Sequence, residues 1–161
     1  SCVAPQRIYV EKTVYPRFLE ACRKAIEELR PGVDYGPMRT EAVRDQAHRM
    51  VWGAVPSGAK LLTGGHALTD LPGSFYAPTL LGDCRNDMPL YEQDFFGPVV
   101  AVCPVADDVE AIRFANDNDM ALGASVWTRN YARGRQIASQ LRVGLVSINE
   151  ILLDAADPAL P

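Results

Sequence analysis

The sequence predicts an α/β protein, with a mostly parallel sheet and helices on both faces. Two observations carry that expectation. Through the second half, apolar β-type runs at 99–105, 124–128 and 145–149 alternate with helical patterns at 107–115 and 131–141, the spacing of βαβ units. The first of these runs, Val99 to Val105, is continuously apolar, as a strand covered on both faces must be.

Arg7 to Glu11 alternates with β-branched and aromatic residues and reads as a strand. From Val14 to Leu29, Phe18, Ala21, Cys22, Ala25, Ile26 and Leu29 recur at helical spacing, and Pro31-Gly32 stops the helix. Gly36-Pro37 is a turn, and Thr40 is an N-cap for a second helix through about Val55. Ala59 to Thr63 is a short strand closed by Gly64-Gly65, and His66 to Gly73 is loop. Pro78 interrupts an extended piece from Phe75 to Leu81, which makes it an edge or irregular strand rather than a central one. Either Asp107 or Asp108 opens the third helix, and Gly144 follows the end of the fourth. The three strands of the second half are expected to lie side by side in one sheet.

Composition narrows the function classes. The chain has 161 residues, 48% apolar and 22% charged, which is ordinary globular composition for one domain. A net charge of −4 without a basic run argues against nucleic-acid binding. No apolar stretch approaches the roughly 20 residues of a membrane span. Four scattered cysteines without CxxC and two histidines without ligand spacing argue against a metal site and against disulfides, and they place the chain in a reducing cytoplasm.

Read alone, Cys2 is a small buried hydrophobe, because a catalytic thiol needs a partner that lowers its pKa. The stretch EQDFFGPVV, residues 92–100, sets acids beside paired phenylalanines. Its local reading is a core seed, with the acids in solvent. His48 reads as the exposed face of a helix, His66 as a solvated loop residue and Trp127 as packing. Gly64-Gly65 lacks the spacing and following helix of a phosphate loop.

The motifs taken together say more. SCVAPQRIYV, Gly36-Pro37, GAKLLTGG, FYAPTLL, EQDFFGPVV, AIRFANDND, LGASVWTRN and GLVSIN stand in one order across essentially the whole chain. In that order the chain resembles the aldehyde dehydrogenase family. The resemblance implies Cys2 as the nucleophile and NAD or NADP as the cofactor. It also implies a small-molecule aldehyde as substrate and a parent protein that is a homodimer or homotetramer. A glutamate two residues before the phenylalanine of the family's Phe-Gly-Pro turn binds the nicotinamide ribose; alignment on Phe96-Gly97-Pro98 puts Asp94 there, one methylene shorter. Glu92 is the alternative acid, and the register on the turn favours Asp94. Phe96 would pack on the nicotinamide side, while Phe95 stays in the core. Asn149 would approach the substrate region or cap its strand end.

The family's dinucleotide-binding domain, general-base glutamate and oxyanion-binding asparagine come largely before the nucleophile. Residues 1–161 are therefore expected to form part of the catalytic domain, with the dinucleotide-binding domain and the C-terminal tail outside them. On that expectation the isolated chain binds no cofactor and turns over no aldehyde. A non-enzymatic module that kept the fold is the alternative.

Overall fold

The computed structural model describes residues 4–91, 96–118 and 121–151. The chain divides into two units, one of residues 5–105 and one of residues 1–4 with 106–161.

In the first unit, β1 (Arg7–Glu11) leads to α1 (Tyr15–Glu27) and α2 (Glu41–Ala54). Then come β2 (Lys60–Thr63), β3 (Thr79–Gly82), a 3-10 turn at Pro89–Tyr91 and β4 (Val99–Val105). The strands form one sheet in the order β1-β4-β3-β2. β4 runs parallel to β1, with Arg7 opposite Ala101, and parallel to β3, with Thr79 opposite Val99; only β2 runs antiparallel to its neighbour. Strand alternation sorts the side chains by face. Val10, Leu80 and Val102 join Tyr15, Phe18, Leu19 and Ile26 of α1 in a core on one face. The opposite face carries Leu81, Ala101 and Cys103, all buried, with the 3-10 turn beside them and α2 packed on that turn.

α2 begins where the sequence indicates, because the Thr40 hydroxyl accepts from the Val43 amide at 3.3 Å. Its Trp52 indole donates to the Gly65 carbonyl at 2.8 Å, and His48 Nδ1 is hydrogen-bonded to the Tyr76 hydroxyl at 3.1 Å. The helix is thereby tied to the chain that leads into β3.

In the second unit, α3 (Asp108–Asn116), β5 (Gly123–Val126), α4 (Tyr131–Ala138) and β6 (Leu145–Ile148) form a parallel strand pair crossed by α4. Asp107 is the N-cap of α3: its carboxylate accepts from the Glu110 amide at 2.9 Å, and Glu110 accepts in return from the Ala106 amide at 2.6 Å. Arg133 makes two 2.6 Å contacts to Asp108, joining α4 to α3.

The α/β class and the predominance of parallel pairing agree with the sequence reading. Three details do not. β4 is not a neighbour of β5 and β6; it lies between β1 and β3. Adjacency in sequence was the guide, and here the apolar run pairs within the first unit instead. The Pro78 segment is not at an edge, since β3 lies between β4 and β2 and all four of its residues are buried. Pro78 falls just before the strand, so its missing N–H costs the ladder nothing, and the next amide, Thr79, donates to the Pro98 carbonyl at 2.8 Å. Trp127 is not packed; it stands exposed after β5.

Candidate functional site

Parallel pairing of β1 and β4 brings the chain segments that lead into them to one end of the sheet. The chain reaches β1 and β4 from the same end, and the register sets Arg7 beside Ala101. In sequence, Cys2 precedes Arg7 by five residues and Phe96 precedes Ala101 by five. The turn before β4 is held firmly. The Pro98 carbonyl accepts from Thr79, and the Val99 amide donates to the Gly97 carbonyl at 2.9 Å. A Cβ on Gly97 would come within 3.0 Å of Met38 Cε and 3.4 Å of Ala47 Cβ, so the turn lies directly on α2. Phe96 at the head of this turn is 54% exposed. It is not one of the buried core residues.

The sheet face away from α1 carries a polar cluster further along the strands, around Tyr9, which lies opposite Cys103. The Arg7 guanidinium lies over the Tyr91 ring, 5.5 Å from its centroid. The Tyr9 hydroxyl donates to Asn86 Oδ1 at 2.9 Å, and burial pushes the phenol up to about 12. The Tyr91 hydroxyl is buried with no hydrogen-bond partner among the described residues, and burial pushes it far above the ordinary phenol range. Burial likewise pushes the neighbouring Cys84 thiol up to about 12. These groups are neutral at physiological pH and do not supply a nucleophile. Sequence reading missed Arg7 and Tyr91; the signal available was an arginine opening a strand and a lone aromatic before the acids.

Of the residues singled out from sequence, Cys2, Asp94, Glu92 and Phe95 lie outside the described residues, and Phe96 is placed at the turn. His48 is exposed as expected but holds Tyr76, and His66 is exposed with Nδ1 hydrogen-bonded to the Gly64 carbonyl at 3.1 Å. Asn149 adopts φ 58° at the end of β6. Its carboxamide oxygen accepts from the Thr128 amide at 2.8 Å and its nitrogen donates to the Thr128 carbonyl at 2.9 Å. Both polar atoms are thus engaged in joining the strand ends, which favours the capping alternative. Among the described residues, no group of three or more His, Cys, Asp or Glu could hold a metal, and no helix is long and apolar enough to cross a membrane.

Residues 1–160 match the family model described as "Aldehyde dehydrogenase family". A putative succinate-semialdehyde dehydrogenase [NADP(+)] of Mycobacterium bovis is 38% identical over 155 residues, covering 92% of this chain and 30% of its own length. A solved structure described for cofactor and substrate selection superposes with a TM-score of 0.92 at 37% identity, covering 100% of this chain and 36% of that one. An aldehyde dehydrogenase of Mycobacterium tuberculosis, solved with NAD+, gives a TM-score of 0.88 at 31% identity, covering 92% of this chain and 32% of that one. The chain therefore spans about a third of the length of the relatives it matches.

Proposed function

Since the chain belongs to the aldehyde dehydrogenase family, we propose that residues 1–161 are part of the catalytic domain of an enzyme that oxidises an aldehyde to a carboxylic acid with NAD(P)+. The observation that carries the reading is the exposed Phe96 on its clamped turn, at the end of the sheet from which β1 and β4 both start.

Cys2 attacks the aldehyde carbon as a thiolate; the carbonyl oxygen becomes an oxyanion, and a thiohemiacetal forms. The backbone N–H of Cys2, together with an asparagine outside residues 1–161, would stabilise that charge as it develops. When bound, NAD(P)+ would supply the hydride acceptor for the thiohemiacetal carbon held on Cys2. The resulting Cys2 thioester is hydrolysed by water, which releases the carboxylic acid and the thiol.

The residues present fit one end of the cofactor. Phe96 offers an uncommitted apolar ring that would exclude water beside the nicotinamide, and Asp94 two residues earlier would accept from the ribose hydroxyls. The pyrophosphate requires a Gly-rich turn opening a helix, and Gly64-Gly65 does not provide one, because it leads into loop. The rest of the cofactor site therefore belongs to the remainder of the parent protein, which acts in the cytoplasm as a homodimer or homotetramer.

The test is reduction of NAD+ and NADP+ by the purified parent protein, with succinic semialdehyde as first substrate because the mycobacterial relatives carry that name. Cys2→Ala is expected to abolish oxidation and leave cofactor binding intact. A fully active Cys2→Ala protein would refute the mechanism.

A further inference from the structure

A cavity of about 480 Å³ opens at the C-terminal end of α3, lined by Arg113, Phe114, Asn116, Asp117 and Arg142. All five residues belong to the second unit, and none takes part in the proposed chemistry. The volume falls in the range of small-molecule sites, about 300–1,000 Å³.

Asn116 brings the two arginines together. Its Nδ2 donates to the Gln140 carbonyl at 2.8 Å, and its Oδ1 accepts from the Arg142 amide at 2.7 Å. The chain leaving α4 is thereby pinned to the end of α3. Arg113 stands three residues before Asn116 on the same helix face, a spacing that sets Cβ atoms about 5–6 Å apart. A second brace, Arg133 on Asp108 at 2.6 Å, ties α4 to the start of α3. The frame is therefore fixed before any ligand arrives.

Neither guanidinium is committed to a close carboxylate. The Arg142 side chain makes no hydrogen bond or ion pair among the described residues. Arg113 has Glu110 at 3.7 Å, and the other oxygen of that carboxylate accepts from the Ala106 amide at 2.6 Å. The Phe114 ring lies 4.7 Å from the Arg113 guanidinium and backs it. An arginine in the last turn also complements the helix dipole. That role needs neither a second, unpaired arginine nor the cavity that both line.

The same groups select the ligand. The carbonyl end of α3 and the Asp117 carboxylate both oppose a bare anion. A ligand that suits every group carries an oxyanion for the guanidiniums and hydroxyls that donate to Asp117. We propose that Arg113, Arg142 and Asp117 form a binding site for a small hydroxylated phosphate ester, with its phosphate on the arginines and its hydroxyls on Asp117. The planar fork of arginine matches phosphate oxygens in pairs. The site does not depend on the roles of Cys2 and Asp94, so its failure would leave the proposed function standing.

The experiment titrates the parent protein calorimetrically with glycerol 3-phosphate, inorganic phosphate and glycerol at constant ionic strength. Glycerol 3-phosphate should bind saturably with a Kd of about 1 mM or tighter, inorganic phosphate roughly tenfold more weakly, and glycerol not at all. Arg113→Gln and Arg142→Gln should each weaken glycerol 3-phosphate roughly tenfold. Arg142→Lys should weaken it about threefold, because it keeps the charge and loses the fork. Asp117→Asn removes a like charge, so it should tighten inorganic phosphate and narrow the preference for the ester to about threefold or less.

The thermal midpoint of each variant is measured alongside. Arginine variants that melt earlier yet bind glycerol 3-phosphate as the wild type does would overturn the proposal, since the arginines would then serve the helix ends alone. So would the absence of saturable binding up to about 10 mM ester. An ester preference unchanged in Asp117→Asn would overturn the assignment of the hydroxyls to that residue.

Discussion

The Tyr15 hydroxyl holds Asp83 at two points, donating to its carboxylate at 3.0 Å and accepting from its backbone amide at 2.5 Å. Asp83 follows β3 with φ 52°, the left-handed region in which aspartate is among the commoner non-glycine residues. The pair therefore fastens the first turn of α1 to the end of β3. Tyr15→Phe strands the amide of Asp83, and we expect a loss of about 1–3 kcal/mol in urea unfolding. The Lys60 ammonium, 2.8 Å from the other carboxylate oxygen, with the Tyr15 hydroxyl, holds the Asp83 carboxyl below its usual range. A depressed folded value gives stability that is present above the unfolded value near 3.9 and lost as pH falls through the folded one. Asp83→Asn should accordingly flatten part of the acid limb of stability against pH; an unchanged acid limb would show the linkage to be absent.

Gly64 and Gly32 provide a graded test of backbone constraint. Both have φ near 80°, but a Cβ on Gly32 meets nothing within 4 Å. A Cβ on Gly64 would strike the Pro78 carbonyl and Thr79, whose hydroxyl accepts from the Gly65 amide and donates to the Ala77 carbonyl. Gly32→Ala should cost about 1–2 kcal/mol, the left-handed penalty alone. Gly64→Ala should cost more than about 3 kcal/mol, because the clash falls on backbone beside β3. Equal unfolding midpoints for the two variants would contradict this ranking.

The buried thiols set the alkaline behaviour. Cys84 and Cys103 are 0% and 1% exposed, and burial pushes Cys84 up to about 12. Neither should react with iodoacetamide at neutral pH until the chain unfolds. Because the Cys84 folded value is raised, its contribution to stability is complete below the unfolded value near 8.5 and declines as pH climbs toward the folded one. Tyr9 and Tyr76, pushed by burial to about 12 from an ordinary value near 10, act in the same direction. Urea midpoints should hold steady to about pH 8.5 and fall above it; a midpoint rising through that window would reject the assignment.

The sequence made the individual elements plain because each carries its own local signal. Thr40 and Asp107 cap their helices through side-chain hydrogen bonds that the residue type alone suggests. Pairing was less visible. The alternation of strands and helices pointed to a single run of neighbouring strands, whereas β4 pairs with β1, which enters some ninety residues earlier (Val99 and Arg7 begin the two strands). Such a long-range partner leaves no mark in periodicity. Pro78 misled for a different reason: a proline excludes a ladder position only where an N–H is needed, and the strand begins one residue later. At the site, Phe96 was legible through its turn, but the Arg7–Tyr91 contact was not, because it depends on which face of the sheet each side chain occupies.

Phe96 separates the cofactor reading from the core-seed reading of its turn. A core phenylalanine truncated to alanine costs about 3–5 kcal/mol. Phe96 is 54% exposed, so Phe96→Ala in the 161-residue chain should cost less than about 1 kcal/mol. In the parent protein the same substitution should raise KM for NAD(P)+ roughly tenfold, through loss of the apolar surface beside the nicotinamide, with a smaller effect on the aldehyde. Asp94→Glu, which restores the longer acid of the family pattern, should leave cofactor affinity equal or better. Calorimetric titration of the 161-residue chain with NAD+ or NADP+ should show no binding, since on the proposed function Phe96 and Asp94 would reach only the nicotinamide half of the cofactor. Measurable binding by that chain would mean that it carries a pyrophosphate site of its own. A Phe96→Ala chain that unfolds as a core variant does would return the turn to a purely structural role.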